Sequence, residues 1–277
     1  MKQKAFTLIE LLVVIAIVGI LSSVIYTNIT GLRDRARVTA GIRFDSSTLH
    51  SIGDQLVGEW TFDMPQVGSL TYDTSGSNNH GTVSDATYAT TSGYNGKGAY
   101  NLNGAGYIIV PYSSILAPTS EVSFGAWAYS SSWGSMGNSR ILSKTEAGGY
   151  NIEFDVQGAG MVNAAVNLSG TYYVATFNYT GLSSGWHHFF VTCDGRFVKL
   201  YIDGTLKKST DSGSAKSITY TYSNALCIGA EVTATVCGGS LWPGSIDDAR
   251  IYSSALSSSN IQKLYAEGRT SHEVATK

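Results

Sequence analysis

Four groups of residues in this 277-residue sequence have types and spacings that could do chemistry. The first is Glu153-Phe154-Asp155-Val156-Gln157, which on an extended strand would turn Glu153, Asp155 and Gln157 to one face. A retaining glycosidase needs two carboxyl groups about 5–5.5 Å apart, one as nucleophile and one as acid/base. Gln157 stands third in the row, and an amide cannot give and reclaim a proton. No catalytic residue is therefore expected, and the chain is read as a non-enzyme. The second group is His187-His188. Neighbours on a strand face opposite sides and cannot grip one metal ion together, whereas zinc asks for several converging ligands. They are expected to be packing and surface residues. The third is the set of three cysteines: Cys227 and Cys237 flank a short Gly/Thr-rich stretch that could close as a hairpin. A disulfide there would contribute about 2–3 kcal/mol and leave Cys193 as a buried strand residue; three reduced core cysteines is the alternative. The fourth is Glu10, a carboxylate inside an apolar run.

The run around Glu10 extends from Phe6 to about Ile25, the length a helix needs to cross a bilayer core. Lys2 and Lys4 precede it, which keeps the N-terminus cytoplasmic and sends the rest of the chain outward. A carboxylate at that depth costs a few kcal/mol unless paired. Cleavage between Ala5 and Phe6 would create an α-amino group on Phe6, and in a helical stack this amine can meet Glu10 of a neighbouring subunit. The stretch Lys4-Ala5-Phe6-Thr7-Leu8-Ile9-Glu10, with the apolar helix after it, resembles the prepilin processing motif of type IV pilins and type II secretion pseudopilins. That resemblance implies removal of residues 1–5 by a prepilin peptidase, N-methylation of Phe6 and subunit docking through Phe6 and Glu10. It also implies an inner-membrane assembly machinery and further copies of the chain in a helical filament as partners. The protein would sit in the cytoplasmic membrane before assembly and in a surface filament afterwards. Ala5 departs from the glycine usual before the cut.

After the span, Ile29, Leu32, Ala36, Ile42, Leu49, Ile52 and Leu56 recur at mostly helical spacings among arginines, so one helix is predicted over 6–56. Beyond it, 31 glycines against 4 prolines and many Ser, Thr and Tyr predict short strands and tight turns. A net charge of −2 with thinly spread basic residues excludes a nucleic-acid-binding face. The runs Trp186 to Cys193 and Arg196 to Ile202, each followed by Asp-Gly, predict a three-stranded meander with Val198, Leu200 and Ile202 on one face. A short helical turn is expected around 257–265.

Trp60-Thr61-Phe62-Asp63, Asp73 through Gly81, Trp186 through Gly204 and Gly244 through Tyr252 resemble, in order, the laminin-G-like, concanavalin A-like jelly-roll domains. The implied fold is α+β: a long N-terminal helix followed by an antiparallel β-sandwich over 57–268 and a tail at 269–277. The resemblance implies a structural calcium ion held by Asp63, Asp73, Asn79, Asp247 and Asp248, set against a reading of the same residues as Asx turns. Surface glycans are candidate partners, through Trp133, Tyr172, Tyr173 or Trp242. The reading is a pilus or pilus-like filament subunit with a lectin-like, adhesive head. The alternatives are a minor pseudopilin of a secretion or DNA-uptake machine and, last, an anchored carbohydrate-active enzyme.

Overall fold

The computed structural model describes residues 52–64, 68–133, 136–144, 148–154, 160–233 and 236–275. The chain divides into one unit at 1–54 and another at 55–277. The expectations for Ala5, Phe6, Glu10 and the apolar run lie outside the described residues, among which no helix is long and apolar enough to cross a membrane.

The second unit is a mostly antiparallel β-sandwich. Its strands are β1 (Leu56–Trp60), β2 (Leu70–Thr71), β3 (Gly81–Ser84), β4 (Thr87–Ala89), β5 (Ala99–Asn101), β6 (Tyr107–Val110), β7 (Val122–Ser130), β8 (Ser139–Ser143) and β9 (Tyr150–Phe154). They continue as β10 (Met161–Leu168), β11 (Thr171–Asn178), β12 (Gly185–Cys193), β13 (Phe197–Ile202), β14 (Thr205–Asp211), β15 (Leu226–Ile228), β16 (Val232–Thr233), β17 (Val236–Cys237) and β18 (Ser245–Tyr252). The first sheet has the order β14-β13-β12-β7-β18-β5-β4, with β1 also on β18; the second has the order β11-β10-β9-β8-β15-β6-β3-β2. The hairpin β16-β17 stands apart.

The predicted meander is β12-β13-β14. Its second turn has Asp203 at φ 52° and Gly204 at φ 70°, the left-handed pair that a tight hairpin requires and that Asp-Gly supplies at low cost. Period-two alternation then sends Val198, Leu200 and Ile202 of β13 and Phe189, Val191 and Cys193 of β12 into the core between the sheets. They meet Tyr150, Ile152 and Phe154 of β9 and Val162, Ala164, Val166 and Leu168 of β10. Full burial of each large side chain there contributes about 1.5–3 kcal/mol. Trp133 and Trp242 close one end, with ring centroids 5.8 and 5.1 Å from Phe154.

The other face of the first sheet is also covered. Helix α1 (Ser258–Ala275) is capped by Ser257, whose hydroxyl accepts the N–H of Asn260 at 3.2 Å. Ile261 and Leu264 are buried, and Tyr265 stacks 5.5 Å from Trp127. The helix thus runs further than the turn expected from sequence, to Ala275. A Cβ at Gly268 would lie 2.6 Å from the Tyr94 ring and 2.7 Å from that of Trp127, so the close approach of α1 depends on that glycine. His187 and His188 do lie on opposite faces, but both are buried: His187 packs against Trp133 and His188 lies between Trp127 and Phe190. The surface role expected for them is corrected by the helix and loops that cover β12.

Candidate functional site

The residues expected to share a calcium ion divide between two places. Asp73 is used up by a turn: Oδ1 accepts the N–H groups of Glu59 and Ser75 at 3.0 and 2.9 Å, and Oδ2 accepts that of Asn79 at 2.8 Å. Asn79 donates its amide to the Val57 carbonyl at 2.8 Å, and its own carbonyl accepts the Trp60 indole N–H at 3.0 Å. This is the Asx-turn role of such residues.

Asp63, Asp247 and Asp248 belong with the loop 93–98. Asp63 pairs with Lys97 at 2.8 Å and accepts the Asn95 amide at 3.3 Å. Asp247, on β18, is fully buried; its oxygens accept the N–H groups of Tyr94 at 3.2 Å and Asp248 at 2.8 Å. Burial, then the charges of Asp248 and Asp63, push its carboxyl well above the usual range. Asp248 accepts the Tyr94 hydroxyl at 3.2 Å and Arg250 Nε at 2.8 Å, and Arg250 also reaches Glu59 at 3.1 Å. A Cβ at Gly93 would fall 2.5 Å from Asp247 Oδ2, 2.6 Å from the Gly98 carbonyl and 3.0 Å from the Lys97 carbonyl. Hard oxygen donors of this kind suit calcium. The five-residue set is not assembled, however: among the described residues no group of three or more His, Cys, Asp or Glu is placed to hold a metal ion.

A separate cluster of polar residues lies on the face of the second sheet turned away from the core. With Ile152 and Phe154 pointing inward, Asn151 and Glu153 of β9 point outward, and the same alternation turns Asn163, Ala165 and Asn167 of β10 and Tyr172, Val174 and Thr176 of β11 to that side. Register sets Thr176 opposite Asn163, Asn163 opposite Glu153 and Glu153 opposite Arg140, one row across four strands. Thr176 donates its hydroxyl to Asn163 Oδ1 at 2.8 Å, and Asn163 Nδ2 approaches Glu153 Oε1 at 3.5 Å. Glu153 Oε2 accepts Asn151 Nδ2 at 3.1 Å and pairs with Arg140 Nη1. Arg140 Nη2 reaches Glu231 at 2.7 Å, and the Ser240 hydroxyl supports Glu231 at 2.7 Å. Glu231 is brought in by the hairpin β16-β17, clipped to β15 by a disulfide between Cys227 and Cys237 with Cα atoms 5.6 Å apart. Cys193 is a buried free thiol, pushed up to about 11 by burial.

Of the aromatic residues expected at a glycan site, Trp133 and Trp242 are core residues, a correction that follows from their inter-sheet packing, and Tyr173 packs against the core. Tyr172 is 41% exposed. Sequence reasoning singled out Glu153 but missed Arg140, Asn163, Thr176 and Glu231. The alternation in Met161–Leu168 was a usable signal for Asn163; the other three depend on strand register. Asp155 and Gln157 lie outside the described residues.

Residues 102–262 match the family described as the concanavalin A-like lectin/glucanases superfamily, and residues 1–26 match the prokaryotic N-terminal methylation motif of type IV pilin-like proteins. The chain belongs to the concanavalin A-like lectin/glucanases superfamily. Solved structures similar to this superfamily member include domain 4 of AbnA, a GH43 extracellular arabinanase from Geobacillus stearothermophilus, in complex with arabinotriose. That match has 20% identity and a TM-score of 0.57, over 76% of this chain and 98% of that one. The binding domain of Paraclostridial Mosquitocidal Protein 1 matches at 15% identity and TM-score 0.59, over 78% of this chain and 53% of its own. The binding domain of Botulinum neurotoxin DC, in complex with rat synaptotagmin II, matches at 15% and 0.60, over 78% and 52%. The chain thus spans about half the length of the two toxin domains. At these identities the likeness is one of fold. No curated protein matches the chain.

Proposed function

We propose that the chain is a structural subunit of a type IV pilus or pilus-like filament, displaying a non-catalytic, glycan-binding β-sandwich. The observation that carries this is the methylation motif over residues 1–26, with Glu10 four residues after Phe6, joined in one chain to a lectin-like sandwich. Cleavage after Ala5 frees the Phe6 amine, and its pairing with Glu10 of a neighbouring copy neutralises a carboxylate that is costly in lipid and sets the register of stacking. A binding role for the head is supported by Glu153, whose carboxylate is held by Arg140 rather than left free as a nucleophile or acid. Calcium at Asp63 and Asp247 would tie the loop 93–98 to β18 and favour the ionised form of the Asp247 carboxyl that burial opposes; Asp73 and Asn79 would support it only through their turn.

Mass spectrometry of the N-terminal peptide in fibres sheared from cells tests the proposal. An N-methylated Phe6 in abundant fibres is expected. A chain that begins at Met1 and stays in membranes would replace it with an anchored surface lectin.

A further inference from the structure

Resting on the glycan-binding reading of the head, we propose that the row Thr176-Asn163-Glu153-Arg140, bordered by Glu231 and Tyr172, is the face that binds, and that its ligand is an uncharged saccharide.

The charge of the row selects the ligand class. One guanidinium lies between two carboxylates, Glu153 and Glu231, leaving an excess of one negative charge. Phosphate, sulfate or sugar carboxylates approaching the row would meet that excess, and the cation that could satisfy it is already Arg140. A hydroxyl both donates and accepts, so a neutral polyol matches a row of alternating donors and acceptors without bringing an unpaired charge.

The row also has bonding capacity left over. A carboxylate offers about four lone-pair sites, yet among the described residues the hydrogen-bond partner of Glu153 Oε1 is an amide at 3.5 Å, and the Glu153 side chain remains 27% exposed. Thr176 is exposed and Asn163 half-buried. Beside them, Asn151 Oδ1 and Arg140 Nε, on residues more than nine-tenths buried, make no hydrogen bond among the described residues. Unmet buried groups are rare in folded proteins and mark places where a bound molecule or water completes the set.

The geometry is fixed before any ligand arrives. Thr176 orients the Asn163 amide, Arg140 is held at both ends, and the disulfide-clipped hairpin holds Glu231. Groups already ordered add no ordering cost on binding. Ala165, whose neighbours across the strands are Asn151 and Val174, leaves a low floor beside the row. At the far side the Tyr172 hydroxyl accepts the Gly148 N–H at 2.8 Å, which fixes an exposed ring on which the C–H face of a sugar can lie.

The test uses the full chain in detergent micelles on an array of uncharged and anionic oligosaccharides, followed by titration of the strongest uncharged binder with wild type, Asn163→Ala and Tyr172→Ala. Each substitution is expected to weaken binding on the order of tenfold, about 1.4 kcal/mol, with the thermal midpoint unchanged. Uncharged binders that hold both variants as tightly as wild type would overturn this face while leaving the glycan reading intact. Binding of anionic sugars alone would overturn the ligand class. No binding at all would overturn the glycan reading with it, and the filament assignment would still rest on the Phe6 measurement.

Discussion

His187 Nδ1 lies 2.6 Å from Asp203 Oδ2, while its Nε2 lies 2.9 Å from the Ser183 carbonyl oxygen. Both partners only accept, so both ring nitrogens are satisfied at once by the imidazolium. Burial opposes that charge, but the hydrogen bond and charge of Asp203 and the Ser183 carbonyl outweigh it, and the net shift is upward. Asp203 Oδ1 also accepts the His188 N–H at 3.0 Å. The pair therefore fastens β12 to the β13-β14 turn, the same Asp-Gly turn that the sequence announces.

A histidine whose pKa is raised on folding contributes stability that is full below its unfolded value, near 6.5, and is lost as pH rises through the higher folded value. Chemical denaturation is expected to show falling stability across that window. Asp203→Asn should cost about 2 kcal/mol below it and flatten this part of the profile. An unchanged profile in that variant would mean that His187 is neutral in the folded protein.

Calcium is expected to raise the thermal midpoint relative to chelator, and Asp247→Asn to abolish the difference. At a hundredfold excess over Kd the gain is about 2.7 kcal/mol. Equal midpoints in wild type would show that the oxygens around Gly93 are closed by Lys97 and the backbone alone.

Cys237→Ser is expected to lower stability by about 2–3 kcal/mol, the chain-entropy value for a loop of this length. Because the hairpin carries Glu231, it should also loosen Arg140. Cys193, buried and with its thiol pushed up to about 11, should resist alkylation until the sandwich unfolds. Rapid labelling of Cys193 in the native chain would contradict the packing of β12.

Gly268→Val should lift α1 from the first sheet, since its Cβ would fall within 2.7 Å of both the Tyr94 and Trp127 rings. A loss of about 1–3 kcal/mol, as for other overpacked sites, with a red shift of tryptophan emission, is the expected reading. Unaltered emission would place α1 further from Trp127.

Local chemistry was legible from the residues in order. The Asp-Gly pairs marked the meander because a tight turn is a property of neighbouring residues, with Gly195, Asp203 and Gly204 all in the left-handed region, and the spacing of Cys227 and Cys237 marked a closable loop. The Phe6 and Glu10 spacing carried the family motif for the same reason. The proposed binding face was not legible, because Thr176, Asn163, Glu153 and Arg140 become neighbours only when four strands pair in one register, and a slip of one residue would turn each to the other side. Trp133 and Trp242 misled for a related reason: a tryptophan in a Gly/Ser-rich segment looks exposed until a second sheet covers it. Asp73 and Asp247 are the same residue type, yet backbone amides gathered Asp73 into a turn while burial on β18 beside two other carboxylates set Asp247 apart. Which carboxylate is gathered into a turn and which is buried among other carboxylates depends on what packs around it, and that is decided by the tertiary structure.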